Sequence, residues 1–167
     1  KMLEVLYQGI IDTGSDVCGC SFLTWKTEEE WEELQKNRYR VEKPVIYESS
    51  EYLEKELLNG NSRCWSKLYR RNAIGKLRFR RGLTIGEDML FLVELLPYVR
   101  SIAELSYPGY GYYTNPAGAM NRAFTPRYMD QIVCWEMARD KMPDKPQIQE
   151  KVTGILLVAL MLTVGKL

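Results

Sequence analysis

The chain predicts an α/β fold, and three observations carry that reading. Leu3, Leu6, Tyr7, Ile10 and Ile11 recur at helical spacing and then stop at Asp12-Thr13-Gly14-Ser15. Val17 to Trp25 (VCGCSFLTW) is a short apolar run with β-branched and aromatic members, as a buried strand requires. Further on, a helical run from Met89 to Val99 is followed by two short strand-like segments, Ser101 to Ser106 and Tyr110 to Thr114, separated by Pro108-Gly109. Helix, turn and strand in succession are an α/β signature.

The remaining elements follow from local chemistry. Lys26 to Glu48 is rich in charge, with Glu28, Glu29 and Glu30 followed by Lys36, Arg38 and Arg40, and its weak apolar periodicity predicts a surface excursion. Ser49 or Ser50 can cap a helix running to about Leu58, where Asn59-Gly60-Asn61 ends it. Arg63 to Arg71 (RCWSKLYRR) reads as a strand or loop turning into a short helix. Gly86-Glu87-Asp88 precedes the Met89 run and so places two acids at a helix N-terminus. Pro126 can open a long helix to about Lys141, and a last helix follows Pro146.

Composition narrows the chemistry. With 167 residues, 46% of them hydrophobic, the chain can bury one sizeable core. Its 23 basic and 22 acidic residues nearly cancel, so the overall balance calls for neither nucleic acid nor an anionic membrane. There is no histidine, which removes Ser-His-Asp and Cys-His nucleophiles, histidine metal sites and imidazole acid-base work. Proton transfer would fall to carboxylates. Cys18, Cys20, Cys64 and Cys134 lack zinc-finger spacing and suit reduced thiols in a cytoplasmic protein. The first residues do not form a signal peptide. Ile155 to Met161 is apolar without a break but falls short of the ~20 residues of a span. That stretch suits either packing on the core or a peripheral place on a membrane surface, which would be the inner face for a cytoplasmic protein.

One ordered set of motifs stands out: CWSKLYRR (Cys64 to Arg71), Phe79 and Gly82, GEDMLF (Gly86 to Phe91), and YGYYTNPAGAMNR (Tyr110 to Arg122). In this order and spacing the set resembles family 2 glycosyltransferases of the bacterial surface-polysaccharide class. There an aromatic-Lys-Leu-Tyr-Arg segment precedes a Glu-Asp pair by about twenty residues, and a helix and a Tyr-rich strand follow. MLEVLYQGIIDTGSDVCGCSF resembles the helix and strand after that family's Asp-rich metal motif, so the likeness spans most of residues 2–122. Two positions depart from the pattern: Thr114 stands where an Arg is usual, and Ala119 where a Ser is usual.

The resemblance implies a partial GT-A-like, Rossmann-related fold over residues 1–125 with a helical C-terminal segment over 126–167. It implies an inverting transferase that moves a sugar from a nucleotide-sugar donor to a glycan or lipid-linked acceptor. Asp88 would be the general base and Glu87 would orient the acceptor or nearby backbone, while Trp65, Lys67, Arg70 and Arg71 would contact donor or acceptor. A divalent cation, Mn or Mg, would belong to the full-length enzyme. Its ligands are not in this chain, because no Asp-x-Asp, Gly-rich phosphate loop or Val-Ile-Ile-Pro strand is found here. The chain is thus expected to be the acceptor-side portion without the sugar-nucleotide half, and inactive alone.

Plainer readings stand beside these. Glu87 and Asp88 also suit a helix first turn with no chemistry attached. Trp65 fits core packing as well as a sugar face, and Tyr107, Tyr110, Tyr112 and Tyr113 suit a core and its edge. The eight basic residues from Arg63 to Arg81 fit a solvated face, a diphosphate contact or an anionic acceptor contact. A nucleic-acid surface is discounted, since acids follow at once and no RNP, KH or zinc signature is present. The alternative to an enzyme is an interaction module that homodimerises through an exposed strand edge.

Overall fold

The computed structural model describes residues 1–37, 42–116, 118 and 123–166. Arg38, Arg40 and Ala119 lie outside the described residues. The fold is mixed α/β, with seven α-helices among the described residues and one open four-stranded sheet. Two compact units interleave along the chain: Lys1–Glu48, Trp65–Arg70 and Arg100–Arg122 form the first, and Ser49–Cys64, Arg71–Val99 and Ala123–Leu167 the second.

The first unit holds the sheet. Its elements are α1 (Met2–Thr13), β1 (Val17–Trp25), α2 (Glu28–Lys36), β2 (Val45–Glu48), β3 (Lys67–Tyr69) and β4 (Ser101–Tyr113). The strand order is β2-β4-β1-β3. β1 and β4 run parallel along the length of β1, and the outer strands pair antiparallel. Helix α1 lies on one face, where Leu6 and Ile10 pack against Cys18, Cys20, Ala103 and Leu105. Gly9 sets this approach, because a Cβ there would come within 2.6 Å of the Cys18 sulfur.

Two expectations are corrected in this unit. Ser101–Tyr113 is one strand, not two, because the extra residues around Pro108 are absorbed as a bulge. The register steps from Leu105 opposite Cys20 to Pro108 opposite Ser21 and then Tyr110 opposite Phe22. Ser21 Oγ donates to the Ser106 carbonyl at 2.7 Å inside that step. Lys26 to Glu48 is not a plain excursion either, since it contains α2 and β2. Thr27 caps α2 by accepting from the Glu30 N–H at 3.3 Å, and the acids in its first turn and Lys36 in its last suit the helix dipole. Trp31 of α2 lies over Gly111 and stacks on Trp25 at 5.3 Å.

The buried thiols of this unit hold their protons. Burial first, and then the Glu104 carboxylate and Cys20, pushes the Cys18 thiol up from 9.0 to about 12. Burial also raises Cys20. A raised thiol pKa contributes stability that is complete below the unfolded value and is lost as pH rises through the folded one, so the Cys18 window runs from 9.0 to about 12. Thermal melts across this range are expected to show falling stability, with a shallower fall in Cys18→Ala.

The second unit is helical: α3 (Ser49–Lys55), α4 (Arg71–Ile74), α5 (Glu87–Leu95), α6 (Asp130–Arg139) and α7 (Pro146–Val164). Helix α3 continues as a 3-10 turn over Leu57–Asn59 and ends at Gly60, whose φ of 99° favours glycine. Helix α5 begins at Glu87 rather than Met89, and Met89 through Leu95 are all buried. A helix covered on every side has no apolar stripe, which explains the imperfect periodicity of its sequence. Pro126 opens a 3-10 turn to Met129, not the long helix expected, and α6 follows it. Helix α7 buries the row Ile148, Val152, Leu156, Ala159 and Thr163.

Candidate active site

The candidate residues fall in both units: Trp65, Lys67 and Arg70 in the first, Arg71, Glu87 and Asp88 in the second. Each is placed by its own local chemistry.

Glu87 and Asp88 occupy the first turn of α5, both half-buried. Gly86 opens the helix with φ of 87°, a left-handed conformation that side-chain-bearing residues rarely adopt. A Cβ at Gly86 would also lie 3.1 Å from the Cys134 Cβ and 3.4 Å from the Gln131 Cα. Met89 N–H donates to Asp88 Oδ1 at 2.8 Å, which ties that oxygen to the helix start. The loop ahead of Gly86 is braced from α6: Asp130 Oδ2 accepts from the Thr84 N–H and hydroxyl, each at 2.9 Å. Cys134 Sγ lies 3.5 Å from the Ile85 carbonyl. Burial pushes the Cys134 thiol up to about 11, and the negative charges of Glu87, Asp130 and Asp88 add to the rise. Three carboxylates therefore act on one thiol. The place of Asp130 and Cys134 in this setting was not legible, because they follow Asp88 by 42 and 46 residues and no motif marks the pairing.

Gly86→Ala is expected to destabilise the protein by about 1–3 kcal/mol, from left-handed backbone strain and the contact with Cys134. Chemical denaturation against the parent chain measures this.

Lys67 is engaged inside the sheet. Its side chain is 1% exposed, and Nζ lies 3.6 Å from Glu104 Oε1. Lys67 and Glu104 are the register partners of Gly19 on its two sides. Gly19 leaves room between them, since a Cβ there would come within 2.6 Å of Glu104 Oε1. Arg70 closes the end of α1, donating from Nε to the Ser15 carbonyl at 2.9 Å and from Nη2 to the Ile10 carbonyl at 3.3 Å. Arg71 begins α4 and is exposed.

Trp65 belongs to an aromatic cluster. Its ring stacks on Tyr112 at 5.2 Å, lies tilted on Tyr110 at 4.6 Å and meets Phe22 edge-on at 5.1 Å. The cluster joins β1, β4 and Trp65, two residues ahead of β3, so tyrosines read from the sequence as core and edge frame the Trp65 ring. Trp65 stays half-buried and Tyr112 is 40% exposed, which leaves aromatic surface open to solvent.

The basic run also divides among internal partners. Besides Lys67 and Arg70, Arg78 donates to the Gly75 and Leu77 carbonyls, and Arg80 pairs with Glu94 at 2.6 Å. Burial alone would raise the Glu94 carboxyl, but Arg80 and Lys141 outweigh it and hold it below its ordinary value. At least four of the eight cations thus meet oxygens of the chain itself, which lowers the density of charge available to a polyanion.

Among the described residues, no three of His, Cys, Asp or Glu converge so as to hold a metal ion. The resemblance places the ligands of its divalent cation outside this chain. Compared with protein-family models the chain matches none, and no curated protein matches it in sequence.

Proposed function

We propose that this chain is the acceptor-side portion of an inverting, GT-A-like glycosyltransferase that moves a sugar from a nucleotide donor to a glycan or lipid-linked acceptor. The observation that carries the reading is the Glu87-Asp88 pair in the first turn of the buried helix α5, on a loop anchored through Thr84 to Asp130. A carboxylate on a fixed helix end can meet an acceptor hydroxyl with little reorganisation.

In this reading the Asp88 carboxylate takes the acceptor's hydroxyl proton while that oxygen attacks the anomeric carbon. The bond from that carbon to the diphosphate oxygen breaks as the new one forms, and the configuration inverts. The nucleoside diphosphate leaves with the bonding pair. Glu87 orients the acceptor from the same turn. The open aromatic surface around Trp65 offers C–H stacking to a sugar ring. Lys67 and Arg70, already paired within the chain, support the sheet and α1 instead of touching substrate, whereas exposed Arg71 remains a candidate contact.

Release of nucleoside diphosphate from a panel of nucleotide sugars, measured with the complete protein, Mn²⁺ and candidate acceptors, tests this proposal. Turnover of one donor that depends on an acceptor supports it. If no donor is bound or consumed, the transferase reading fails.

A further inference from the structure

Helix α7 changes character along its length. Its first half is amphipathic: Ile148 and Val152 are buried, while Gln147, Glu150 and Lys151 line the outer side together with Gly154. Its second half has no polar outer side. Leu157, Val158, Leu160, Met161, Leu162 and Val164 are 42–74% exposed, with Met161 the most open. These positions do not form a narrow seam. At 100° per residue they spread over roughly half the helix circumference, opposite the buried row Leu156, Ala159 and Thr163.

The helix is nevertheless docked. Thr163 Oγ1 donates to the Ala159 carbonyl and accepts from Gln131 Nε2 of α6, both at 2.8 Å, which holds the far end of α7 against its neighbour. At 19 residues and a mean hydropathy of 1.4 it is long and apolar enough to cross a membrane, but its buried row is committed to the protein. A docked helix with a broad, convex apolar end suits a lipid surface, which solvates a wide arc, better than a partner helix, which needs a narrow stripe.

Charge indicates which kind of surface. From Lys151 through Lys166 there is no acidic residue, and a lysine stands at each end of the apolar stretch. Lys166 sits 4.9 Å from the Tyr128 ring, beside the helix end. Apolar side chains bordered by cations and free of carboxylates complement an anionic lipid headgroup layer.

We infer that the C-terminal half of α7 is a peripheral membrane-docking surface for anionic bilayers, in which Leu157, Val158, Met161 and Leu162 enter the headgroup boundary. This does not depend on the transferase proposal.

The test is co-sedimentation of the full chain with vesicles of phosphatidylcholine alone or with about one-third phosphatidylglycerol. Met161→Glu/Leu162→Glu is the variant, since both side chains point to solvent and the fold does not need them. The parent is expected to sediment with the anionic vesicles, and the double variant to bind at least about tenfold more weakly with an unchanged melting temperature. Three results would overturn the inference: no binding by the parent, equal binding to neutral vesicles, or equal binding by the variant. A parent that is dimeric in solution, becomes monomeric in the variant and ignores vesicles would assign the surface to a second copy of the chain instead.

Discussion

Replacing Glu104 by alanine is expected to lower stability by about 3–5 kcal/mol, because it removes the carboxylate that faces the buried Lys67 ammonium inside the sheet. That ammonium is on a side chain 1% exposed and lies 3.6 Å from the carboxylate. Removing the carboxylate leaves the desolvation penalty of the cation in place while the attraction of that carboxylate is lost. The two residues flank Gly19 of β1 in register, and Gly19 itself contributes no side chain between them. The paired change Lys67→Met/Glu104→Leu is expected to recover most of the loss, since a buried ion pair and an apolar pair of similar volume are often close in stability. Urea denaturation of the two single variants and the double one measures the coupling directly. A small loss in Glu104→Ala would mean that the Lys67 amine finds water or another acceptor in solution.

Asp88→Asn is expected to reduce transfer by about 10²–10⁴-fold in the complete protein, the usual range for a positioned general base. The amide keeps the shape of the side chain and can still accept from the Met89 N–H, so the start of α5 should survive. What it loses is the capacity to take a proton from the acceptor. Glu87→Gln should cost less, because orientation is shared with the surrounding backbone whereas proton acceptance is not. The split separates the chemistry from a first-turn role: if both acids serve only the helix dipole, the two substitutions should lower stability by a few tenths to ~1 kcal/mol each and leave turnover alike. Turnover with saturating donor and acceptor, set beside the melting temperature of each variant, distinguishes the cases.

Much of the architecture was legible in the sequence because its signals are local. The 3.6-residue pattern of Leu6 and Ile10, closed by Gly14, marks α1, and the apolar run Val17 to Trp25 coincides with β1. What failed was read against local signals that tertiary contacts override. Pro108-Gly109 looked like a break, yet a bulge against parallel β1 lets β4 continue through it. The acidic run Glu28 to Glu30 looked like solvated loop, yet Thr27 caps it and Trp31 anchors it on Gly111. At the candidate site the two acids were visible because they adjoin a turn and a helix start. Their setting was not, because Asp130 and Cys134 belong to a distant helix. The roles of Lys67 and Arg70 were hidden for the same reason: Glu104 lies 37 residues beyond Lys67, and the Ile10 carbonyl that Arg70 meets lies 60 residues before it.

The most direct measurement is the anomeric configuration of a sugar product formed by the complete protein, followed by NMR with the donor identified from the nucleotide-sugar panel. The proposed reaction gives a new glycosidic bond of configuration opposite to the donor, formed by the parent and not by Asp88→Asn although that variant still binds the nucleotide. A product of retained configuration, or an Asp88→Asn variant that forms product at the parent's rate, would contradict it.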